Sequence, residues 1–123
     1  MVAVDTNCII AYLAGDSGED IDLLDQLLAR KLAVLPPVVV AELLSDPILP
    51  ADAERMLRSL PEVSISDGYW YRAGKLRCEL TKLGYKARLA DTLIAQSCLD
   101  SNVALLTRDK GFRRFEQAGL RLV

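Results

Sequence analysis

The chain contains no histidine. That absence removes Ser-His-Asp and Cys-His catalysis, imidazole general bases and nearly all zinc chemistry. Polar catalysis here has to rest on carboxylates, lysines, tyrosines or metal ions. Glycine-rich nucleotide loops of the G-x-x-x-x-G-K-[ST] or G-x-G-x-x-G type are missing as well, so phosphate cradling by such a loop is unsupported. Long apolar runs are scarce. The longest, Leu32 to Ala41, contains Pro36-Pro37 and falls far short of the roughly 20 residues of a membrane span. Asp5 interrupts the opening apolar stretch, so no signal segment is expected. Cysteine is limited to Cys8, Cys78 and Cys98, an odd and scattered set without a C-x-x-C pair. Such usage points to reduced, core-packed thiols in a cytoplasmic protein.

What is present suits one globular domain spanning residues 1–123, large enough to bury roughly two-thirds of its unfolded surface. Apolar residues make up 51% of the chain and the net charge is −2. The halves differ in sign. Residues 1–66 hold 4 Lys/Arg against 11 Asp/Glu, a balance of −7, whereas residues 67–123 hold 11 against 6, a balance of +5. A basic face on an acidic protein permits a polyanionic partner; scattered solvated charge fits the count equally well.

Periodicity then divides the chain. Met1 to Val4 is a buried strand ending at Asp5, and Cys8 to Leu13 reads as a helix capped by Thr6 or Asn7. Glu19, Asp20, Asp22 and Asp25 alternate with leucines and Ile21 in an amphipathic helix whose acids form a solvated face. Ala33-Val34-Leu35 is a second strand, after which Pro36-Pro37 starts a helix over 38–45. Pro47 and Pro50 bracket a turn before a helix over 51–60. Val63-Ser64-Ile65 reads as a short strand, and Asp67 as the cap of a helix through Leu83 that ends at Gly84. From Lys86 a further helix runs until Asp100-Ser101-Asn102 breaks the pattern. Val103 to Leu106 is a buried strand, 110–117 a helix closed by Gly119, and 120–123 a last strand. Strands alternating with helices define an α/β fold: a parallel β-sheet flanked by helices on both faces.

Four acids stand out against this frame. Asp5 and Asp109 follow buried strands, Asp91 opens a buried helix, and Glu42 lies in the otherwise apolar run Val38 to Leu44. Helix capping is a bland alternative for Asp5 and Asp109, and a helix-dipole role for Asp91. Glu42 has the weakest alternative, since nothing near it in sequence offers a partner. The carboxyl ends of parallel strands are where α/β sheets bind ligands. Carboxylates gathered there repel one another and raise each other's pKa until a cation relieves them. Magnesium or manganese, which take oxygen ligands and bridge to phosphates, are the natural choice.

The motifs Val4-Asp5-Thr6-Asn7, Val39-Val40-Ala41-Glu42-Leu43-Leu44, Leu89-Ala90-Asp91-Thr92-Leu93-Ile94-Ala95 and Leu106-Thr107-Arg108-Asp109-Lys110-Gly111-Phe112, in that order, resemble the PIN domain. The chain's size is similar to that of the VapC toxins of toxin–antitoxin pairs. This resemblance covers essentially the whole chain. It implies an Mg²⁺- or Mn²⁺-dependent ribonuclease cleaving single-stranded RNA, usually a homodimer, silenced by a VapB-like antitoxin whose basic side chain plugs the acidic pocket. The family's catalytic and metal-holding quartet falls on Asp5, Glu42, Asp91 and Asp109, with Thr6, Asn7 and Thr107 as hydrogen-bonding support. Many members carry an acid immediately before the phenylalanine of the last motif; this chain has Gly111, so a fifth acidic ligand is not implied.

Other classes fit less well. A receiver domain shares the alternation, and Thr107 and Lys110 are similar to its switch threonine and lysine, but it needs an acid pair where Thr6-Asn7 follows Asp5. A dehalogenase-type phosphatase needs an acid where Asn7 stands. A catalytically silent PIN-like binding module is the third alternative. For substrate binding, residues 72–88 carry six Lys/Arg and one acid, Glu79. Lys86, Arg88, Arg108 and Lys110 are expected around the pocket, with an exposed aromatic of Tyr69-Trp70-Tyr71 stacking a base.

Overall fold

The computed structural model describes all 123 residues. Three strands form one parallel sheet: β1 (Val2–Val4), β2 (Ala33–Val34) and β3 (Ala104–Leu106), in the order β2-β1-β3. β1 is central because its residues are apolar on both sides; Ala3 and Val4 are fully buried. Six α-helices surround the sheet: α1 (Thr6–Leu13), α2 (Glu19–Ala29), α3 (Pro37–Leu44), α4 (Ala51–Arg58), α5 (Tyr69–Lys82) and α6 (Leu89–Ser101). A 3-10 segment, Lys110–Ala118, follows β3. This is the α/β architecture expected from the alternation.

Register positions the site. Val4 pairs with Leu106, and the Asp5 amide donates to the Leu106 carbonyl at 2.9 Å. The residues that follow β1 and β3 therefore emerge side by side. Beneath them lies a core of Ile9, Leu35, Ile94, Leu105, Phe112 and Phe115, with the two phenylalanine rings 5.7 Å apart.

The structure corrects several expectations. Residues 63–65 form no strand; the chain only touches the sheet through a single bridge from Glu62 to Leu35. Leu122 likewise makes one bridge to Leu105 in place of a strand over 120–123. Both segments are too short to build a ladder. α1 is capped by the Asp5 carboxylate, which accepts the Thr6 amide at 2.8 Å, and not by Thr6 or Asn7. Asp67 is no cap either, because Gly68 in a left-handed conformation precedes α5. The helix that carries Asp91 starts at Leu89, not Lys86, since Arg88 before it is extended. α6 runs through Ser101 and stops at Asn102, whose φ of 53° ends the helix. The last helix is 3-10 in form. Cys8 and Cys98 are buried as expected, while Cys78 is exposed on α5.

Phe112 packs under the end of β3 and has no room to be replaced. Phe112→Ala should cost about 3–5 kcal/mol in urea unfolding, whereas Leu89→Ala, at an exposed position, should stay within about 0.5 kcal/mol. Equal losses at both positions would contradict this packing.

Candidate active site

Asp5 is the buried member of the site. One carboxylate oxygen accepts the Thr6 amide at 2.8 Å and the other accepts the Thr107 hydroxyl at 2.7 Å. Thr107 comes from the far strand, and its hydroxyl oxygen accepts the Asp109 amide at 3.0 Å. The Thr6 hydroxyl donates to Glu42 at 2.8 Å, which ties α3 to the end of β1. Asn7 accepts the Arg108 amide through its side-chain oxygen at 3.3 Å. These bonds follow from the parallel register, which sets residues 5–7 beside 107–109.

Asp5, Glu42, Asp91 and Asp109 are thereby brought to one edge of the sheet. Burial raises the Asp5 carboxyl above its ordinary range; the Thr107 and Thr6 hydrogen bonds oppose the rise, and the charges of Glu42 and Asp109 add to it. Asp91 is raised by its own partial burial, then by Asp109 and Asp5, against a smaller pull from Arg88. No hydrogen bond reaches the Asp91 carboxylate from another protein group. Glu42, expected to be buried within its apolar run, is exposed: Val39 and Leu43 of α3 are buried, Val38 and Val40 pack against the core while half-buried, and Glu42 faces away. Asp109 is exposed and also caps the 3-10 segment by accepting the Gly111 amide at 2.8 Å.

No three of these acids approach closely enough to form a ready-made metal-binding group. Each of the three bonded acids, Asp5, Glu42 and Asp109, is held by its own donors. The donor set is still that of a hard cation: carboxylate oxygens with lone pairs left free on Asp91, Glu42 and Asp109. Magnesium retains several waters and needs only one or two direct carboxylates, so this arrangement fits it.

Of the cations expected here, Lys86, Arg88 and Lys110 are exposed and enter no ion pair. Arg108 is different. Its guanidinium is held by Asp20 and Asp16 and by the Ser17 carbonyl, so it clamps the loop before α2 to the end of β3. Asp20 was expected on a solvated face, and its role as this partner has no signature in the helical pattern. The aromatic expectation also shifts. Tyr69 is buried, its hydroxyl donating to the Leu93 carbonyl at 2.6 Å. Next to Trp70 and Tyr71, Arg72 pairs with Asp100 at 2.7 Å, about two and a half turns along α6 from Asp91. Gly111 has a local reason. A Cβ there would lie 2.9 Å from an Asp109 carboxylate oxygen and press on it.

The carboxyl edge of this parallel sheet thus carries acids held by hydrogen bonds from Thr6, Thr107 and Gly111, beside cations that enter no ion pair. The sequence profile of the PIN domain matches residues 2–118, and the chain belongs to the PIN-domain family. Its fold is similar to VapBC2 from Rickettsia felis, solved bound to a DNA fragment from its promoter (TM-score 0.77, 23% identity, covering 100% of this chain and 98% of that one). It is also similar to FitAcB from Neisseria gonorrhoeae (TM-score 0.72, 22% identity, 99% and 96%). A third likeness is VapBC-1 from nontypeable Haemophilus influenzae (TM-score 0.69, 22% identity, 100% and 97%). A search of curated proteins gives no match.

The raised carboxyls make a signed prediction. A carboxyl whose folded pKa exceeds its unfolded value binds protons more readily in the native state, so stability falls as pH rises from about 3.8 through the folded value. Asp91→Asn should therefore raise Tm at neutral pH, and the gain should vanish at pH values below the unfolded value. Thermal melts across pH 3 to 8 check this; a variant less stable at neutral pH would contradict it.

Proposed function

We propose that this chain is a divalent-metal-dependent endoribonuclease cleaving single-stranded RNA, and the toxin of a VapBC-type pair acting in the cytoplasm. The observation that carries it is the gathering of Asp5, Glu42, Asp91 and Asp109 at one sheet edge, with two of them raised by burial and by one another's charge. Membership of the PIN family supports hydrolysis of nucleic acid. No helix is long and apolar enough to cross a membrane.

In this reading Asp5, Glu42, Asp91 and Asp109 would together hold a magnesium or manganese ion. Such an ion polarises a phosphodiester and generates a nucleophile from water at neutral pH. Thr107 and the Thr6 amide aim the Asp5 carboxylate and oppose the rise that burial imposes on it. The Thr6 hydroxyl aims the Glu42 carboxylate. Asn7 fixes the backbone of Arg108, and so the path of the chain into Asp109. Lys86, Arg88 and Lys110 attract the phosphates flanking the cleaved bond, while Arg108 acts as the clamp described above.

The partner belongs to the same proposal. An apolar groove of Ile10, Leu13, Leu43, Ile48 and Leu49 opens directly beside Glu42. An antitoxin segment laying apolar side chains in this groove would place a basic residue against the acidic edge, where an arginine can pair with carboxylates in bidentate fashion. The homodimer expected from the resemblance is read by sedimentation of the purified chain.

Cleavage of single-stranded RNA should require Mg²⁺ or Mn²⁺ and stop in excess chelator. Asp5→Asn should lower the rate by about 10²–10³-fold, the scale on which loss of one charge-stabilising group acts, while the fold persists by circular dichroism. RNA cleaved equally well in chelator would overturn the mechanism, and a folded, metal-supplied chain that cuts nothing would favour a silent binding module. Gly111→Ala should also slow cleavage, because its methyl displaces the Asp109 carboxylate, yet leave Tm in place. Unchanged cleavage would mean that the position of Asp109 is not critical.

A further inference from the structure

The basic residues beside the acidic edge are organised around one aromatic ring, Tyr85, that the motifs do not single out. Two shallow hollows lie on this side. One is lined by Tyr85, Lys110, Arg113 and Arg114, the other by Tyr85, Lys86 and Arg88 together with Arg77. Tyr85 is common to both, and neither hollow contains an acid. Trp70 and Tyr71 line neither.

The loop that presents Tyr85 is rigidly built. After α5, Gly84 takes a φ of 88°, a conformation that an L side chain resists. The Gly84 amide bonds the Thr81 carbonyl and the Tyr85 amide the Leu80 carbonyl, each at 3.0 Å, which closes the helix in a Schellman turn. Two residues on, Arg77 donates from its Nε to the Ala87 carbonyl at 2.8 Å, and the Ala87 side chain is buried in the core. Tyr85 is thus held at a fixed place, and the residue is 41% exposed. On the other side Arg114 donates to the Gly111 carbonyl at 2.7 Å, ordering the start of the 3-10 segment. Lys86, Arg88, Lys110 and Arg113 make no side-chain hydrogen bond or ion pair within the chain, so their charge is available to a partner.

The apolar groove is lined by acids instead, Glu42 and Asp46, and at the α2 loop Asp16 and Asp20 outnumber the one cation they hold, Arg108. A polyanion reaching the carboxylates is repelled by these acids and attracted by the cations around Tyr85.

We propose that Tyr85 and its surrounding cations form a single-strand RNA subsite next to the cleavage centre. One base stacks on the Tyr85 ring, and the phosphates on either side pair with Lys86 and Arg88 in one hollow and with Lys110, Arg113 and Arg114 in the other. The bound strand runs from the carboxylate edge in one direction only. This subsite rests on the nuclease reading for its substrate, and it adds a footprint: productive binding needs nucleotides on the Tyr85 side of the cleaved bond.

The test uses fluorescein-labelled single-stranded RNA of roughly a dozen nucleotides, bound to the intact chain in chelator so that nothing is cut. Anisotropy is read across about 50–200 mM salt. Tyr85→Ala should weaken binding roughly 5- to 150-fold at every salt concentration, the range measured for loss of one stacking ring. Tyr85→Phe should restore it. Lys110→Ala and Arg113→Ala should each lower the slope of log affinity against log salt by about 0.7. Affinity and slope unchanged in all of these variants would overturn the subsite. Equal, Tyr85-dependent binding of polyglutamate would also overturn it, in favour of an acidic protein partner. Hydrolysis of bis(p-nitrophenyl) phosphate with Mn²⁺ by the unaltered chain tests the nuclease reading separately. Its failure alongside Tyr85-dependent RNA binding would remove the cleavage proposal and leave the subsite standing.

Discussion

The arrangement depends on one buried carboxylate held from two strands at once. Asp5 leaves the water because it follows β1, the central strand, and its charge there is costly. Two donors offset that cost, the Thr6 amide from its own helix and the Thr107 hydroxyl from the end of β3. The second bond exists only because β1 and β3 are parallel and in register, Val4 against Leu106. The same register delivers Asp109 and Arg108 beside residues 5–7, and Arg108 then ties down the loop before α2 through Asp16 and Asp20. A slip of the strand pairing would leave Asp5 buried without half of its partners.

From this follows the electrical character of the edge. The acids are not neutralised within the chain: Asp5 and Asp91 are raised by burial and by their neighbours, and no group of three closes on a shared point. An edge of this kind stores repulsion that a hard cation would relieve. The cations nearby do not supply the relief themselves. Arg108 is committed to Asp20 and Asp16, and Lys86, Arg88, Lys110 and Arg113 enter no ion pair.

Much of this was legible in the chain as written. The buried runs Val2–Val4 and Ala104–Leu106, with polar residues directly after each, mark strand ends of a parallel sheet whatever the surrounding detail. Asp91 one turn into an apolar helix, and Asp5 and Asp109 after strands, are local facts of spacing, and the motifs joining them identify the family before any coordinates. Element type survived for the same reason in the longer segments, since a period of two or of 3.6 residues is a property of neighbours in sequence; it failed for 63–65 and 120–123, which make only single bridges. Element ends survived less well. Caps are decided by which group reaches a free amide, so Asp5 rather than Thr6 caps α1, and Gly68 rather than Asp67 precedes α5.

What only the tertiary structure decided concerns partners far apart in the chain. Glu42 has an apolar neighbourhood in sequence but an exposed side chain, because α3 buries Val39 and Leu43 and leaves Glu42 on its outer side, where its hydrogen bond comes from Thr6, 36 residues away. Arg108 and Asp20 lie 88 residues apart, and no periodicity links them. Tyr85 sits in a polar stretch that by itself suggests only a loop; its place between Lys110 and Lys86 depends on the Gly84 turn and on the packing of Ala87. The sequence by itself determines which residues alternate, which carry charge and which family motifs they compose, since these are short-range properties of the chain. Which charges end up paired, which remain free and which ring stands between them depends on long-range closure of the sheet and its helices.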